Sequence, residues 1–224
     1  MIMEHNRKES AMKVNKSSNF DTGIANSMPY QYSHNTISTV MDKLLEESFL
    51  IGGYPASTEG YWRVVLERKI DVGVQLEVSK YYLSYHDDLP DFVQQRSIAT
   101  NPLGNCTIRT YIVNGRPFSH ISYKWPDLGI PTDYKQFTEF MRSYLGLIWQ
   151  GSLVLVHCRE GHGRSGTFAF VRALMKRPEA SLEVSNMVLN ELRRQREGLV
   201  ETSRQEHFAR DIQRSLSDSL PVTR

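Results

Sequence analysis

The spacing of apolar residues along this chain switches repeatedly between a period of two and a period of three to four, and each stretch predicts an element. Residues 39–48 (TVMDKLLEES) place Val40, Leu44 and Leu45 on one face of a short helix. Phe49-Leu50-Ile51 predicts a strand that ends in Gly52-Gly53-Tyr54-Pro55. Ser57 or Thr58 can cap a helix over 59–69 that carries Trp62, Val65 and Leu66 inward. Alternation over 70–78 (IDVGVQLEV) predicts a second strand, and strands are expected around Ser97-Ile98, over 107–113 and over 118–123. Asn114-Gly115, between the last two, is a strong hairpin signal. Residues 133–149 predict an amphipathic helix whose stripe is Phe137, Phe140, Met141, Tyr144, Leu145 and Ile148. A buried strand over 153–156 leads to a helix over 167–176, and a further helix over 182–196 carries Val184, Met187, Val188 and Leu192. Its basic end, Arg193, Arg194 and Arg196, has the character of a solvated helix terminus. Thr202 with Gln205 forms a capping box for a last helix that turns Phe208, Ile212 and Leu216 inward.

A chain of 224 residues is long enough for one sizeable core and short for two. The elements divide it into a flexible N-terminal tail over 1–20, one domain over 21–216 and a C-terminal tail over 217–224. A formal net charge of +2 creates no basic field for nucleic acid, and no apolar run is long enough to span a membrane. The N-terminal residues carry no apolar signal-peptide region. The two cysteines, Cys106 and Cys158, make no disulfide framework, which fits a reducing, cytoplasmic compartment; export by a route that needs no signal peptide leaves no such mark.

Chemistry concentrates in residues 153–167, LVLVHCREGHGRSGT. A strand, a loop interrupted by Gly161, Gly163 and Gly166, and then a helix is the layout in which backbone N–H groups and a helix N-terminus converge on an anion. Cys158 stands at the strand end, where oriented amides, the helix dipole and Arg164 all favour the thiolate. Arg164, after five intervening residues, can fold back and grip two phosphate oxygens with its planar fork. Ser165 sets a hydroxyl beside the sulfur to stabilise it when it is expelled, and His157 can fix the loop by hydrogen bonding through either ring nitrogen. A second landmark is Trp125-Pro126-Asp127-Leu128-Gly129-Ile130-Pro131, one carboxylate held in a loop of defined shape with Gly129 as a hinge. By itself that loop reads as a surface turn whose Asp caps a neighbouring element.

His157-Cys158, five residues, then Arg164-Ser165-Gly166 resembles the signature loop of the cysteine-dependent protein tyrosine phosphatases. WPDLGIP resembles the mobile acid loop of that family, GGYPASTEGYWRVVLE its segment of Gln-Gly-Pro and Asp-Phe-Trp, and QREGLVETSRQEHF the loop that carries two water-positioning glutamines. The likeness covers about residues 24–215 in the family's order. It implies an α/β fold, a single domain with a twisted, mixed central β-sheet flanked by helices. It also implies hydrolysis of phosphotyrosine monoesters in proteins through a phosphocysteine, without metal or other cofactor. Cys158 is then the nucleophile, Arg164 the phosphate clamp and Asp127 the general acid. Arg159, Glu160, Gly161, His162 and Gly163 form the substrate cradle, Trp125 and His157 support it, and Gln205, with Asp127 and Glu201, handles the hydrolytic water.

Three departures from the family pattern matter. Glu201 stands where the first glutamine usually sits; a carboxylate there can orient water or act as base, and it also repels the phosphoenzyme. Ile24 replaces the aromatic that stacks on the phosphotyrosine ring, which loses a contact of roughly 0.5–1.5 kcal/mol. Arg159, Glu160 and His162 occupy loop positions that are commonly small or apolar, and Glu160 argues against highly charged inositol phosphates. These departures leave two alternatives open, a dual-specificity or phosphoinositide phosphatase and a phospho-binding module with impaired turnover.

Overall fold

A computed structural model describes residues 38–42, 47–77, 85–102, 104–125, 129–149 and 151–217. Its sheet contains seven strands: β1 (Ser38–Asp42), β2 (Glu47–Gly52), β3 (Val72–Gln75), β4 (Val93–Thr100), β5 (Cys106–Val113), β6 (Arg116–Tyr123) and β7 (Val154–His157). They lie in the order β1-β2-β7-β3-β6-β5-β4. The middle four, β2, β7, β3 and β6, run parallel, and antiparallel strands flank them on both sides. Among the described residues, five helices complete the mixed α/β architecture: α1 (Thr58–Glu67), α2 (Tyr134–Leu145), α3 (Gly163–Met175), α4 (Leu182–Gln195) and α5 (Ser203–Ser217).

Alternation in the parallel strands feeds two cores, one on each face of the sheet. Val72, Val74, Val154 and Val156 pack with Phe137 and Phe140 of α2, Phe168 and Phe170 of α3 and Phe208 of α5. Leu155 points the other way, into a cluster with Tyr61, Trp62 and Val65 of α1. No helix among the described residues is long and apolar enough to cross a membrane.

Several local expectations hold. Ser57 caps α1 by accepting the Gly60 N–H at 3.0 Å. Asn114 and Gly115 both take positive φ in the β5–β6 turn. Thr202 and Gln205 form the reciprocal capping box at the head of α5, each bond 3.2 Å, and Asp133, which the pattern places inside α2, instead caps it.

Others are corrected. Residues 38–42 form a strand, not the start of a helix, with Ser38 opposite Ile51 and Asp42 opposite Glu47. A ten-residue helix is marginal by itself, and β-branched Thr39 and Val40 gain more from pairing with β2. Leu44 and Leu45 lie outside the described residues. Helix α2 stops at Leu145, leaving Trp149 79 % exposed beyond the Gly146 cap. Helix α3 begins at Gly163, although glycine is a poor helix former, because packing requires glycine there: a Cβ on Gly166 would stand 2.6 Å from the Val200 nitrogen. On α4 Met187 faces outward while Ser185, Val188, Leu189 and Leu192 are buried. The Ser185 hydroxyl donates to Gln213 of α5 at 3.0 Å, and this contact sets the rotation of the helix.

Candidate active site

The described elements that carry the candidate chemistry meet at the carboxyl ends of the parallel strands, where α/β sheets commonly bind ligands. His157 at the end of β7 is in register with Gly52 of β2 on one side and Gln75 of β3 on the other. Residues just past these ends, Gly53-Tyr54, Glu77 and Cys158, are thereby brought together, and β6 delivers Trp125 from beyond β3.

Cys158 is 2 % exposed, and the Gly161 N–H donates to its Sγ at 3.3 Å. Gly161 adopts φ +77°, and a Cβ there would lie 2.6 Å from the Gly52 carbonyl. The loop after β7 thus rests directly on the turn after β2, and only glycine serves at its bend. A further bond, from the Tyr54 N–H to the Arg159 carbonyl at 3.1 Å, ties the loop to the same turn. Arg164 is nearly buried, and its Nη2 donates to Oε2 of Glu77 at 2.6 Å. A guanidinium offers five N–H donors in a rigid fork, so this carboxylate orients the clamp from behind. The Ser165 hydroxyl is completely buried and makes no hydrogen bond among the described residues.

A cleft of about 250 Å³ opens over this floor, lined by Cys158, Arg159, Glu160, Gly163, Arg164, Glu201 and Gln205. His162 immediately precedes α3 and lies against Gly198. Burial and Arg196 lower its affinity for a proton, and Glu160 and Glu201 oppose them. The Trp125 indole N–H donates to the Gly129 carbonyl at 3.1 Å and so braces the two ends of the candidate acid loop, while the ring packs edge-on against Phe137. Asp127 and Ile24 lie outside the described residues.

Beneath the loop, His157 is buried and its Nε2 is 3.0 Å from the Tyr85 hydroxyl. Burial, assisted by His86, pushes its pKa down to about 3, so the ring is neutral and acts as a strut. Gln75 donates to the Tyr54 hydroxyl and accepts from Ser122.

Glu77 has no motif around it, and the only signal in the chain is a carboxylate just past the end of a mostly apolar strand. The basic end of α4 is a correction. Arg193 donates to the Leu199 and Val200 carbonyls at 3.0 and 2.9 Å, and Arg196 is 8 % exposed. Burial lowers the Arg196 guanidinium from its usual value, and the charge of Cys158 raises it. Only Arg194 keeps the solvated role, paired with Glu191 at 2.7 Å.

The family model for protein-tyrosine phosphatase matches residues 29–213. The chain belongs to that family. Among curated relatives, it is 27 % identical over 190 residues to mouse tyrosine-protein phosphatase non-receptor type 20, covering 75 % of this chain and 44 % of the relative. It is 24 % identical over 212 residues to tyrosine-protein phosphatase 2 of Dictyostelium discoideum, covering 76 % and 54 %. The chain spans about half the length of these relatives. Among solved structures, the protein tyrosine phosphatase TbPTP1 of Trypanosoma brucei superposes with a TM-score of 0.64 at 20 % identity over 80 % of this chain and 73 % of that one. This likeness concerns the fold alone.

Proposed function

We propose that this chain hydrolyses phosphotyrosine in proteins through a phosphocysteine intermediate. The observation that carries the proposal is the floor of the cleft: a buried sulfur accepting a loop amide, beside an arginine whose fork is set by Glu77. The Cys158 thiolate attacks phosphorus in line with the leaving oxygen. Amides of residues 159–164 and the Arg164 guanidinium hold the three equatorial oxygens as their charge redistributes. Asp127 closes with its loop and protonates the phenolic oxygen, and proton transfer of this kind is worth about 10²–10⁴-fold. Water held by Gln205 then attacks phosphorus from the vacated side, and Ser165 stabilises the departing sulfur. The catalytic unit is residues 21–216, acting in a reducing, cytoplasmic compartment; both cysteines are free, in keeping with this.

Purified chain given 4-nitrophenyl phosphate, a phosphotyrosine peptide, a phosphoserine peptide and an inositol lipid, all without metal, tests the proposal. Turnover should be confined to the first two. Equal turnover of phosphoserine or lipid would point to a broader phosphatase, and binding without turnover to a phospho-binding module. Cys158→Ser should abolish turnover and still retain phosphopeptide in a pull-down; residual turnover would remove Cys158 from the nucleophile's role.

A further inference from the structure

Two opposite effects are open to a carboxylate at position 201, repulsion of the phosphoenzyme and removal of a proton from water. We infer that Glu201 is the base that deprotonates the water opening the phosphocysteine, a role independent of Asp127. The inference rests on the phosphocysteine reading above.

The geometry centres on Gly163, the first residue of α3. At the point where a Cβ on Gly163 would stand, Oε2 of Glu201 is 2.7 Å away and Nε2 of Gln205 is 2.9 Å away. Both side chains therefore converge on one spot at the wall of the cleft that holds Cys158 and Arg164. Their chemistries are complementary. Gln205 is 1 % exposed, and its Oε1 is already engaged by the Thr202 N–H at 3.2 Å. That bond presents the amide nitrogen, a pure donor, which can hold a water by its oxygen but never accept a proton. Glu201 supplies the acceptor, and it makes no side-chain hydrogen bond or ion pair among the described residues. Its neighbours have taken the structural tasks: Thr202 caps α5, and Arg193 grips the carbonyls of Leu199 and Val200. Val200 is held at φ +57°, a backbone state that a β-branched residue rarely adopts, and the next side chain in the chain is Glu201.

In the step, the water oxygen forms a bond to phosphorus as the P–Sγ bond breaks. That electron pair returns to Cys158 as thiolate, one water proton passes to Oε2 of Glu201, and hydrogen phosphate leaves. No further reagent is required.

Rapid-quench kinetics with radiolabelled 4-nitrophenyl phosphate tests this on the full chain and on Glu201→Gln, Glu201→Asp, Asp127→Ala and the double variant Asp127→Ala/Glu201→Gln. The nitrophenolate burst should persist in Glu201→Gln at a rate within a few-fold of the parent. Breakdown of labelled enzyme should slow about 10²-fold, the lower end of the usual effect of a positioned base. Glu201→Asp should recover part of it. In Asp127→Ala, breakdown should still rise with ionisation of a carboxylate, and the double variant should lose that limb and accumulate label on Cys158. Breakdown in Glu201→Gln that is unchanged or faster overturns the base assignment and leaves the phosphatase standing. An absence of both nitrophenolate and label in the parent chain overturns the phosphatase reading itself, and this inference with it.

Discussion

A carboxylate 87 residues earlier in the chain, Glu77, holds one arm of the Arg164 fork. Both partners are nearly buried, with side chains 5 % and 12 % exposed, so water competes little for the pair. Truncating one member of such a pair leaves an uncompensated charge, a loss of roughly 3–5 kcal/mol in stability. Glu77→Ala should therefore lower the midpoint of urea unfolding. Glu77→Gln retains an acceptor for Nη2, so it should fold yet lose about ten- to a hundredfold in kcat/KM, about 1.4–2.8 kcal/mol of transition-state stabilisation. An unchanged kcat/KM in the glutamine variant would reduce Glu77 to a structural residue. Asp127→Ala should depress rates most for esters with poor leaving groups, measured as kcat across a series of aryl phosphates. Equal loss across the series would count against an acid at that position. Cys106 is buried, and burial raises its pKa to about 11. It should resist iodoacetamide at a pH where Cys158 is alkylated.

The strand–loop–helix formed by β7 and α3 was legible almost completely in the sequence: a β-branched run, three glycines and an apolar helical stretch are local signals carried by adjacent residues. The exception is the helix start, where Gly166 is demanded by the approach of Val200, a contact between elements that no local periodicity records. A similar contact fixes Gly161 against the turn after β2. Gly161→Ala would combine a left-handed backbone with a 2.6 Å clash on backbone atoms. It should cost about 1–3 kcal/mol of stability and abolish turnover through distortion of the cradle, tested by thermal unfolding alongside 4-nitrophenyl phosphate assays. The first strand shows the opposite case. Residues 38–42 carry a helical pattern, yet β2 offers them a ladder from Ser38 to Asp42, and a short isolated helix has no comparable partner.

On the helix-α1 side of the sheet, the molecule is stabilised by an aromatic and histidine cluster. Tyr61 stacks on Tyr85 at 4.3 Å, and His86, His120 and His157 lie among these rings. Burial lowers His157 to about 3, and burial with Arg109 lowers His86 to about 4, Asp87 opposing; His120, fully buried, falls well below its usual value. All three are neutral in the fold and bind protons more readily once unfolded. Their contribution is therefore fully present above about pH 6.5 and is lost as pH falls toward the lowered values. Each pH unit below 6.5 should cost about 1.4 kcal/mol per histidine until its folded value is reached. Urea unfolding between pH 7 and 5 should show a steep fall in midpoint, and His120→Gln, if it folds, should flatten it. A midpoint independent of pH would show that the histidines do not stay neutral.

The candidate nucleophile, clamp and cradle could be proposed from sequence because they occupy one continuous stretch, in which covalent spacing keeps Cys158 and Arg164 close. The capping box of α5 and the β5–β6 turn were readable for the same reason, since each is complete within four residues or fewer. Glu77 beside Arg164, Arg196 in the field of Cys158, and the approach of Glu201 and Gln205 to Gly163 became visible only in three dimensions. The first follows from the parallel register of β3 on β7, and the others from the path of the α4–α5 connection over the start of α3. These contacts join residues that no local period relates. They are selected by long-range burial and pairing energies, which a hydrophobic pattern along the chain does not encode.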